Sequence, residues 1–265
     1  MAFTTINDPS AHFQTTLYTG NGSSGHAITN TGNSDLQPDW VWIKSRSNAV
    51  NHGAWDSTRG ASDRLLPDTT GAAETQSNFT SFNSDGFTVD TGNIVNTNAY
   101  TYVGWQWKAA GGTTASNGNG SITSTVQANT TAGFSIVKWT GTGSAATIGH
   151  GLGVTPEFII VKNLDKSSQW AVYTASVGNT KYLALNDDDA AATYSGYWND
   201  TSPTTTVFSV GSDGDVSGGN GEEVISYVFS SIKGYSKFGS YTGNGNTDGT
   251  FVYTGFKPAF VMIKT

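Results

Sequence analysis

The sequence contains no cysteine, which excludes disulfide scaffolds, thiolate zinc sites and cysteine nucleophiles. Charged residues are scarce at 12%, and proline occurs only six times. An ordinary globular protein has about 25% charged residues, and helical bundles and coiled coils have more Ala, Glu, Lys and Leu than this chain. The composition therefore excludes a predominantly helical protein.

Long apolar runs are also absent. The runs at 40–43 and 158–161 are four residues long, whereas a membrane-spanning helix needs about 20. The first ten residues have neither the basic region nor the apolar stretch of a signal peptide. The net charge of −7 disfavours a nucleic-acid partner, which would require a basic face. We expect no membrane insertion and no nucleic-acid binding.

Glycine and aromatic residues are abundant. The chain has 33 Gly, 8 Trp, 11 Tyr and 13 Phe, with many Thr, Ser and Asn residues between them. The aromatic and β-branched residues can form a core, which disordered chains cannot. Such residues favour strands, while Gly, Asn and Ser favour turns. The sequence therefore predicts an all-β protein.

An internal repeat is the strongest signal in the sequence. Three blocks share the order proline, free position, aromatic residue, three apolar residues and lysine: PDWVWIK (38–44), PEFIIVK (156–162) and PAFVMIK (258–264). Each block follows a T-G-x-G turn, in YTGNG, WTGTG and YTGNG respectively. Ordered matches at three places predict tandem copies of one structural unit.

The repeat divides the chain into five segments. We assign 1–12 to an N-terminal arm, 13–110 to the first unit, 111–133 to a Gly/Ser/Thr/Asn-rich linker with a short strand, 134–236 to the second unit, and 237–265 to the start of a third. This third copy is incomplete because it ends inside its Pro-aromatic block. Either the chain is a fragment of a longer protein, or another chain completes the unit.

The Pro-aromatic blocks are apolar at odd and even positions, which is typical of strands buried on both faces. We expect 38–44 and 156–162 to be equivalent central strands of antiparallel β-sandwich units. The strands near 102–108 and 224–230 alternate instead, so one face should be packed. We expect the following side chains to be largely buried: Trp40, Trp105, Trp107, Phe158, Tyr227 and Phe229. No helix longer than two turns is expected.

No catalytic constellation is evident. The chain has only four Glu residues, and the adjacent Glu222 and Glu223 would point to opposite faces of an extended strand. No pair of carboxylates therefore suggests itself for glycoside hydrolysis. The run Asp187, Asp188 and Asp189 could offer oxygen ligands to Ca²⁺, or it could be a solvated turn. We assign no catalytic residue and no metal ligand.

One segment, HGAWDSTRG (52–60), combines an aromatic, a carboxylate and a guanidinium within five residues. Sugar-binding proteins use an aromatic ring for the apolar face of the sugar and charged planar groups for its hydroxyls. Trp55, Asp56 and Arg59 are therefore the candidate ligand-binding residues. In the alternative interpretation Trp55 belongs to the core, and Asp56 and Arg59 rigidify a turn.

Several ordered blocks resemble a repeat found in structural and tail-fibre proteins of marine bacteriophages, including those that infect cyanobacteria. The blocks are PDWVWIKSRS, AWDSTRG, FNSDGFTV, YVGWQWKAAGG and FSIVKWTGTGSAATIGHGLGVTPEFIIVKN, together with the opening INDPSAHFQTTLYTGNGSS. Such repeats are grouped with the concanavalin A-like lectin/glucanase sandwiches. The resemblance implies a jelly-roll β-sandwich and glycan binding, but not catalysis, because a fold alone does not imply an activity.

We therefore expect a non-enzymatic virion protein, a tail- or head-fibre component that presents lectin-like domains for attachment to host-surface glycans. A purely structural or decoration protein that binds other virion proteins is the alternative, and a glycan-degrading enzyme is the second. The protein would assemble in the host cytoplasm and lie on the particle exterior. We expect a homo-oligomer, with a trimer as the specific hypothesis, whose N-terminal arm docks onto the particle.

Overall fold

A computed structural model of the protein describes residues 4–264. It is almost entirely β-structure, and all its strand pairings are antiparallel. The all-β, tandem sandwich fold expected from the sequence is confirmed. Among the described residues, no helix is both long enough and apolar enough to cross a membrane.

The first unit follows a short 3-10 helix at Pro9–Ala11. Its strands are β1 (Phe13–Thr19), β2 (His26–Ile28), β3 (Trp40–Ser45), β4 (Gly53–Asp56), β5 (Gly60–Leu65), β6 (Glu74–Thr75), β7 (Phe79–Asn83), β8 (Gly86–Val89) and β9 (Thr101–Trp107). A large sheet has the strand order β1-β9-β3-β4-β5-β6, and a small sheet has the order β2-β8-β7.

The second unit repeats this plan. Its elements are β10 (Ala115–Asn117), β11 (Ser124–Asn129), β12 (Phe134–Thr140), β13 (Ala146–Gly149), β14 (Phe158–Asn163), β15 (Ala171–Thr174), β16 (Lys181–Ala184), β17 (Ala192–Thr193), α1 (Ser195–Trp198), β18 (Val207–Val210), α2 (Gly214–Ser217) and β19 (Glu223–Phe229). The large sheet has the order β10-β11-β12-β19-β14-β15-β16-β17, and β13 pairs with β18 in the small sheet.

The two units agree in register as well as in strand order. Trp40 pairs with Trp107 in the first unit, as Phe158 pairs with Phe229 in the second. The Pro-aromatic blocks form β3 and β14, and each lies between the last strand of its own unit and the hairpin strand that follows it. These blocks are therefore the equivalent central strands that the repeat predicts.

The four sheets stack as small, large, large and small. On β3, Val41 and Ile43 face a core shared with the small sheet of the first unit. Trp40 and Trp42 face the large sheet of the second unit. The other repeat of the same chain therefore covers the second apolar face of β3.

The contact between the two large sheets is an aromatic cluster, here called the seam: Trp40, Trp107, Phe134, Tyr227 and Phe229. The Trp40 ring stacks on Tyr227 with centroids 4.1 Å apart and on Trp107 at 4.5 Å. The burial expected from the sequence holds for Trp40, Trp107, Tyr227 and Phe229. Trp105 and Phe158, which were also expected to be largely buried, are only half-buried at the margin of the seam.

The sequence contains two SDG tripeptides, at 84–86 and 212–214, whose residues favour turns. They adopt different structures. In the first unit Gly86 completes the β7–β8 turn with φ of 98°, as the sequence predicts. A Cβ at this glycine would lie 2.0 Å from the Ile28 carbonyl oxygen. In the second unit Asp213 instead caps α2 by accepting the Asp215 N–H, and Gly214 is the first helical residue. Both α-helices span four residues, within the expected limit.

The segments outside the two units differ from their sequence description. Residues 111–133, interpreted as a linker with a short strand, contribute β10 and β11 to the edge of the second large sheet. Residues 237–264, here called the C-terminal segment, form no strand in the described part of the chain. Its Phe238 stacks on Phe158, and Phe260 contacts Trp105 and Trp107 at the margin of the seam.

Truncation of Trp40 to alanine should destabilise the whole molecule, because its ring is 2% exposed and touches both units. We expect a loss of about 3–5 kcal/mol in the free energy of unfolding, measured by urea denaturation. Trp105→Ala, at a half-buried position, is the matched control and should cost clearly less. An equal cost for the two variants would contradict the importance given to the seam.

Candidate functional site

Trp55 lies on β4 and points into the core of the first unit. Its side chain has no exposed surface, and its ring stacks on Phe79 with centroids 5.0 Å apart. The ring passes so close to Gly53 that a Cβ there would lie 2.4 Å from the indole. Tyr173, the counterpart in the second unit, is buried in the equivalent core against Trp198. The aromatic position is therefore a core position in both copies.

Asp56, the next residue on β4, points the opposite way and is fully buried at the seam. One carboxylate oxygen, Oδ1, accepts the backbone N–H groups of Thr58 and Arg59. The other, Oδ2, accepts a hydrogen bond from Arg59 Nε at 2.6 Å and one from the Tyr227 hydroxyl at 2.8 Å. Tyr227 belongs to the second unit, so this carboxylate joins the two repeats.

The Arg59 guanidinium is 3% exposed and also donates Nη1–H to the Asp63 carbonyl oxygen at 2.8 Å. Burial alone opposes its charge, but the Asp56 carboxylate and Tyr227 outweigh burial and raise the pKa of Arg59. Burial, followed by the Asp56 charge, raises the pKa of Tyr227 well above its ordinary value. At neutral pH Tyr227 is thus a neutral phenol and Arg59 a guanidinium cation.

The structure therefore brings Trp55, Asp56 and Arg59 close in space but gives them no access to a ligand. Trp55 is in one core, while at the seam the Asp56 carboxylate and Arg59 Nε and Nη1 bond to protein groups. This burial favours the alternative interpretation of the loop, in which the three residues are structural. Tyr227 completes the group, and no sequence signal linked it to a loop 171 residues away.

A second buried carboxylate organises the same side of the seam. Asp39 accepts the backbone N–H groups of Ala109, Gly111 and Gly112 and the hydroxyl of Ser57, all at 2.6–2.8 Å. Three of its four bonds hold the turn after β9 against the start of β3, and the fourth binds the residue that follows β4. Four donors on one buried carboxylate leave it no free lone pair to offer a ligand.

Gln127 of β11 reaches into this group from the second unit. Its side-chain amide donates to the hydroxyls of Ser57 and Thr58, and its oxygen accepts the Gly112 N–H. The polar side-chain atoms of Asp39, Asp56 and Gln127 are thus hydrogen-bonded at the seam, as most buried polar groups are. Together with the stacked rings they join the repeats into one body.

The lysine that ends each Pro-aromatic block has a recurring role. Lys44 Nζ donates to the Val50 carbonyl oxygen, and Lys162 Nζ donates to that of Ser168, six residues on in both cases. Lys162 also donates to Thr70, in the first unit. Burial lowers the pKa of Lys162 to about 8, partly offset by Asp215. The recurrence of a lysine at the end of each Pro-aromatic block is the sequence signal for this shared contact.

The four glutamates lie in separate environments and are individually engaged. Glu74 pairs with Arg64, Glu157 accepts the Ser231 hydroxyl, and Glu223 pairs with Lys138. Glu222 accepts hydrogen bonds from Asn163 and from the Gly219 N–H, which lower its pKa. Glu222 and Glu223 thus face different partners, as expected for adjacent residues on extended chain.

The carboxylates of Asp187, Asp188 and Asp189 lie within 4.8 Å of one another in an open loop. Two of them are exposed and Asp187 is half-buried. The loop adjoins Asp68 of the first unit and receives Lys264 Nζ on the Asp187 carbonyl oxygen. Their spacing could accommodate Ca²⁺, but their exposure equally fits the solvated turn considered from the sequence.

Comparison with known proteins gives one match. A family model described as "Domain of unknown function (DUF7483)" matches residues 8–265, nearly the whole chain. No curated protein and no solved structure matches the chain.

Arg59→Ala should be strongly destabilising because it leaves the buried Asp56 carboxylate without its counter-charge. We expect a loss of about 3–5 kcal/mol in the free energy of unfolding. Tyr227→Phe keeps the ion pair and removes one hydrogen bond to a charged group, for a loss of about 1.5–3 kcal/mol. Arg64→Ala is the control: its partner Glu74 is 44% exposed, so about 1 kcal/mol or less is expected. A smaller loss in the free energy of unfolding for Arg59→Ala than for Tyr227→Phe, measured by urea denaturation, would contradict this assignment.

Lys162 should give the protein a pH-dependent stability. Its folded pKa of about 8 lies below the ordinary 10.5, so the unfolded chain holds more protons between these values. Stability therefore rises as the pH increases through this window. The measurement is the free energy of unfolding from about pH 8 to 9.5, below the usual tyrosine ionisation near 10. Lys162→Met should lose the rise and Lys44→Met should keep it; an unchanged rise in Lys162→Met would be the contrary result.

Proposed function

The chain belongs to this family of unknown function, and we propose that it is a non-enzymatic structural protein of a bacteriophage particle, in which it joins other protein chains. It would be assembled in the host cytoplasm and lie on the exterior of the particle, in a tail or head fibre. The proposal assigns the exposed end of the chain, and not the 52–60 loop, to contact with partners.

The observation that carries the proposal is the exposure of the C-terminal segment. Four of its large apolar side chains face solvent: Phe251 is 85% exposed, Tyr253 67%, Val261 64% and Ile263 63%. Monomeric proteins rarely leave a contiguous apolar surface open to water, and such surfaces mark sites of protein contact. This segment is therefore a candidate assembly surface.

The repeat adds a second reason. The same block that forms β3 and β14, both buried on two faces, recurs at 258–264 without strand partners. A sequence of this pattern is stabilised by cover on both sides, as the first two copies illustrate. Cover from another copy of the chain would give the homo-oligomer that we propose, with a trimer as the specific case, and other virion proteins would be further partners.

The choice of a bacteriophage particle rests on the resemblance of the ordered sequence blocks. Glycan attachment, the first expectation from that resemblance, loses its candidate site because Trp55, Asp56 and Arg59 are buried. The structural alternative is therefore favoured over the lectin role. The separated and individually engaged glutamates give no reason to prefer the enzyme alternative.

Multi-angle light scattering on the full chain tests the proposal. We expect three times the monomer mass, and a monomer for the double variant Val261→Asp/Ile263→Asp, because charge on the apolar surface opposes its burial. Val154→Asp, at an exposed apolar position outside the segment, should keep the wild-type mass.

The same preparation should be placed on a glycan array and incubated with host surface polysaccharide. A monodisperse monomer for the wild-type chain would contradict the assembly role. Saturable glycan binding would restore attachment as the function, and release of sugar fragments would establish the enzyme. Assembly without either is the expected result.

A further inference from the structure

The two large sheets end in edges of very different length. At three of their four edges lie β6 and β17, of two residues each, and β10, of three. The fourth edge is β1, with seven residues and the sequence FQTTLYT. Proteins protect exposed edges by keeping them short or by placing charge or proline on them. The edge of β1 has none of these protections.

Among residues 4–264, no main-chain partner bonds to the outer edge of β1. Gly20 N–H donates to the Tyr100 carbonyl oxygen, and Lys108 N–H donates to that of His12, so the even positions bond toward β9. In an antiparallel pair the intervening residues direct their N–H and C=O groups to the other side. Thr15 and Leu17 therefore direct theirs outward, and the Leu17 side chain is 59% exposed.

In the second unit a strand covers the equivalent edge. There β12, the counterpart of β1, pairs with β11 through Gln127 opposite Ile136 and Thr125 opposite Lys138. Val126 of β11 is 6% exposed and belongs to the core of that unit. Just before β11, Ile122 bridges to Ile148 of the small sheet. Residues 122–129 thus close the gap between the large and small sheets.

The same gap is open in the first unit. A groove of about 450 Å³ runs between residues 15–19 of β1 and residues 26–31 at β2. Half of its lining residues are threonines, Ile28 is a buried apolar member, and His26 and Tyr18 are its ionisable groups. An uncharged channel beside a free strand edge suits an extended, uncharged segment.

We propose that the edge of β1 accepts an extended strand from another polypeptide, seated as β11 is seated in the second unit. The incoming strand would be uncharged, with small or β-branched side chains at alternate positions, like residues 122–129. Main-chain hydrogen bonds to Thr15 and Leu17 supply affinity, and the groove selects the side chains that face β2. This inference does not depend on the virion role or on the C-terminal segment.

A labelled peptide with the sequence of residues 121–129 provides the probe, titrated by fluorescence anisotropy against the full chain. We expect saturable binding with one peptide per chain. N-methylation at Thr125 and Gln127, whose amides face the partner strand in β11, should weaken binding at least about ten-fold. The matched peptide methylated at Ser124 and Val126, on the opposite edge, should bind within about two-fold of the parent.

Leu17→Pro locates the peptide on the protein. Proline is tolerated at a strand edge whose N–H faces solvent, so the β1–β9 ladder is kept while one edge donor is lost. We expect at least about ten-fold weaker binding with Leu17→Pro and unchanged binding with Leu17→Ala, both checked for folding by thermal melting. Should Leu17→Pro unfold, Leu17→Lys, which places charge on the edge, takes its place.

Three results would overturn the proposal: no binding by the folded wild-type chain, equal binding by Leu17→Pro, or equal loss with the two methylated peptides. Another possible outcome is a dimer that Leu17→Pro abolishes and that prevents the peptide from binding. In that case a second copy of the chain occupies the edge, and the proposal of a separate partner strand is wrong. Peptide binding should persist in Val261→Asp/Ile263→Asp, because these residues lie outside the edge of β1. Loss of peptide binding can therefore be distinguished from loss of assembly.

Discussion

The stacking of Trp40 on Tyr227 is the contact on which the architecture depends. These rings come from the central strand of one repeat and the last strand of the other. Each large sheet is apolar on both faces, so neither could leave its second face in water. Packing the two faces against each other satisfies both at once and makes one four-layered body from two similar sandwiches.

The polar groups of the seam are what make this packing specific. Aromatic rings alone tolerate sliding, whereas the buried Asp56 carboxylate must meet both Arg59 and Tyr227 to avoid an uncompensated charge. Asp39 and Gln127 impose the same demand on the turn after β9. A one-residue slip between the units would leave several of these groups unpaired, at a cost larger than the rings could recover.

The differences between the repeats are as informative as their likeness. The second unit has its β1-equivalent edge covered by β11, while the first does not, and the third Pro-aromatic block has no strand partners. Because the first two copies share one plan, the position that β11 fills in the second unit can be located at the edge of β1 in the first. The seam is thus buried between the two repeats, whereas the edge of β1 and the apolar side chains of the C-terminal segment are exposed. Such exposed features are consistent with a component of a larger assembly.

The fold could be predicted from the sequence because it depends on local patterns. Apolar residues at both odd and even positions predicted the central strands, and the aligned blocks predicted two equivalent units. Burial of most seam aromatics, such as Trp40 and Tyr227, followed for the same reason. The sequence also contained all the groups of the 52–60 loop and allowed two interpretations of them. Only the tertiary structure decided between these, because it placed Tyr227, 171 residues away, on Asp56 and closed the seam over Arg59. Composition and spacing show which groups a chain contains. Whether those groups reach solvent depends on which distant part of the chain packs against them.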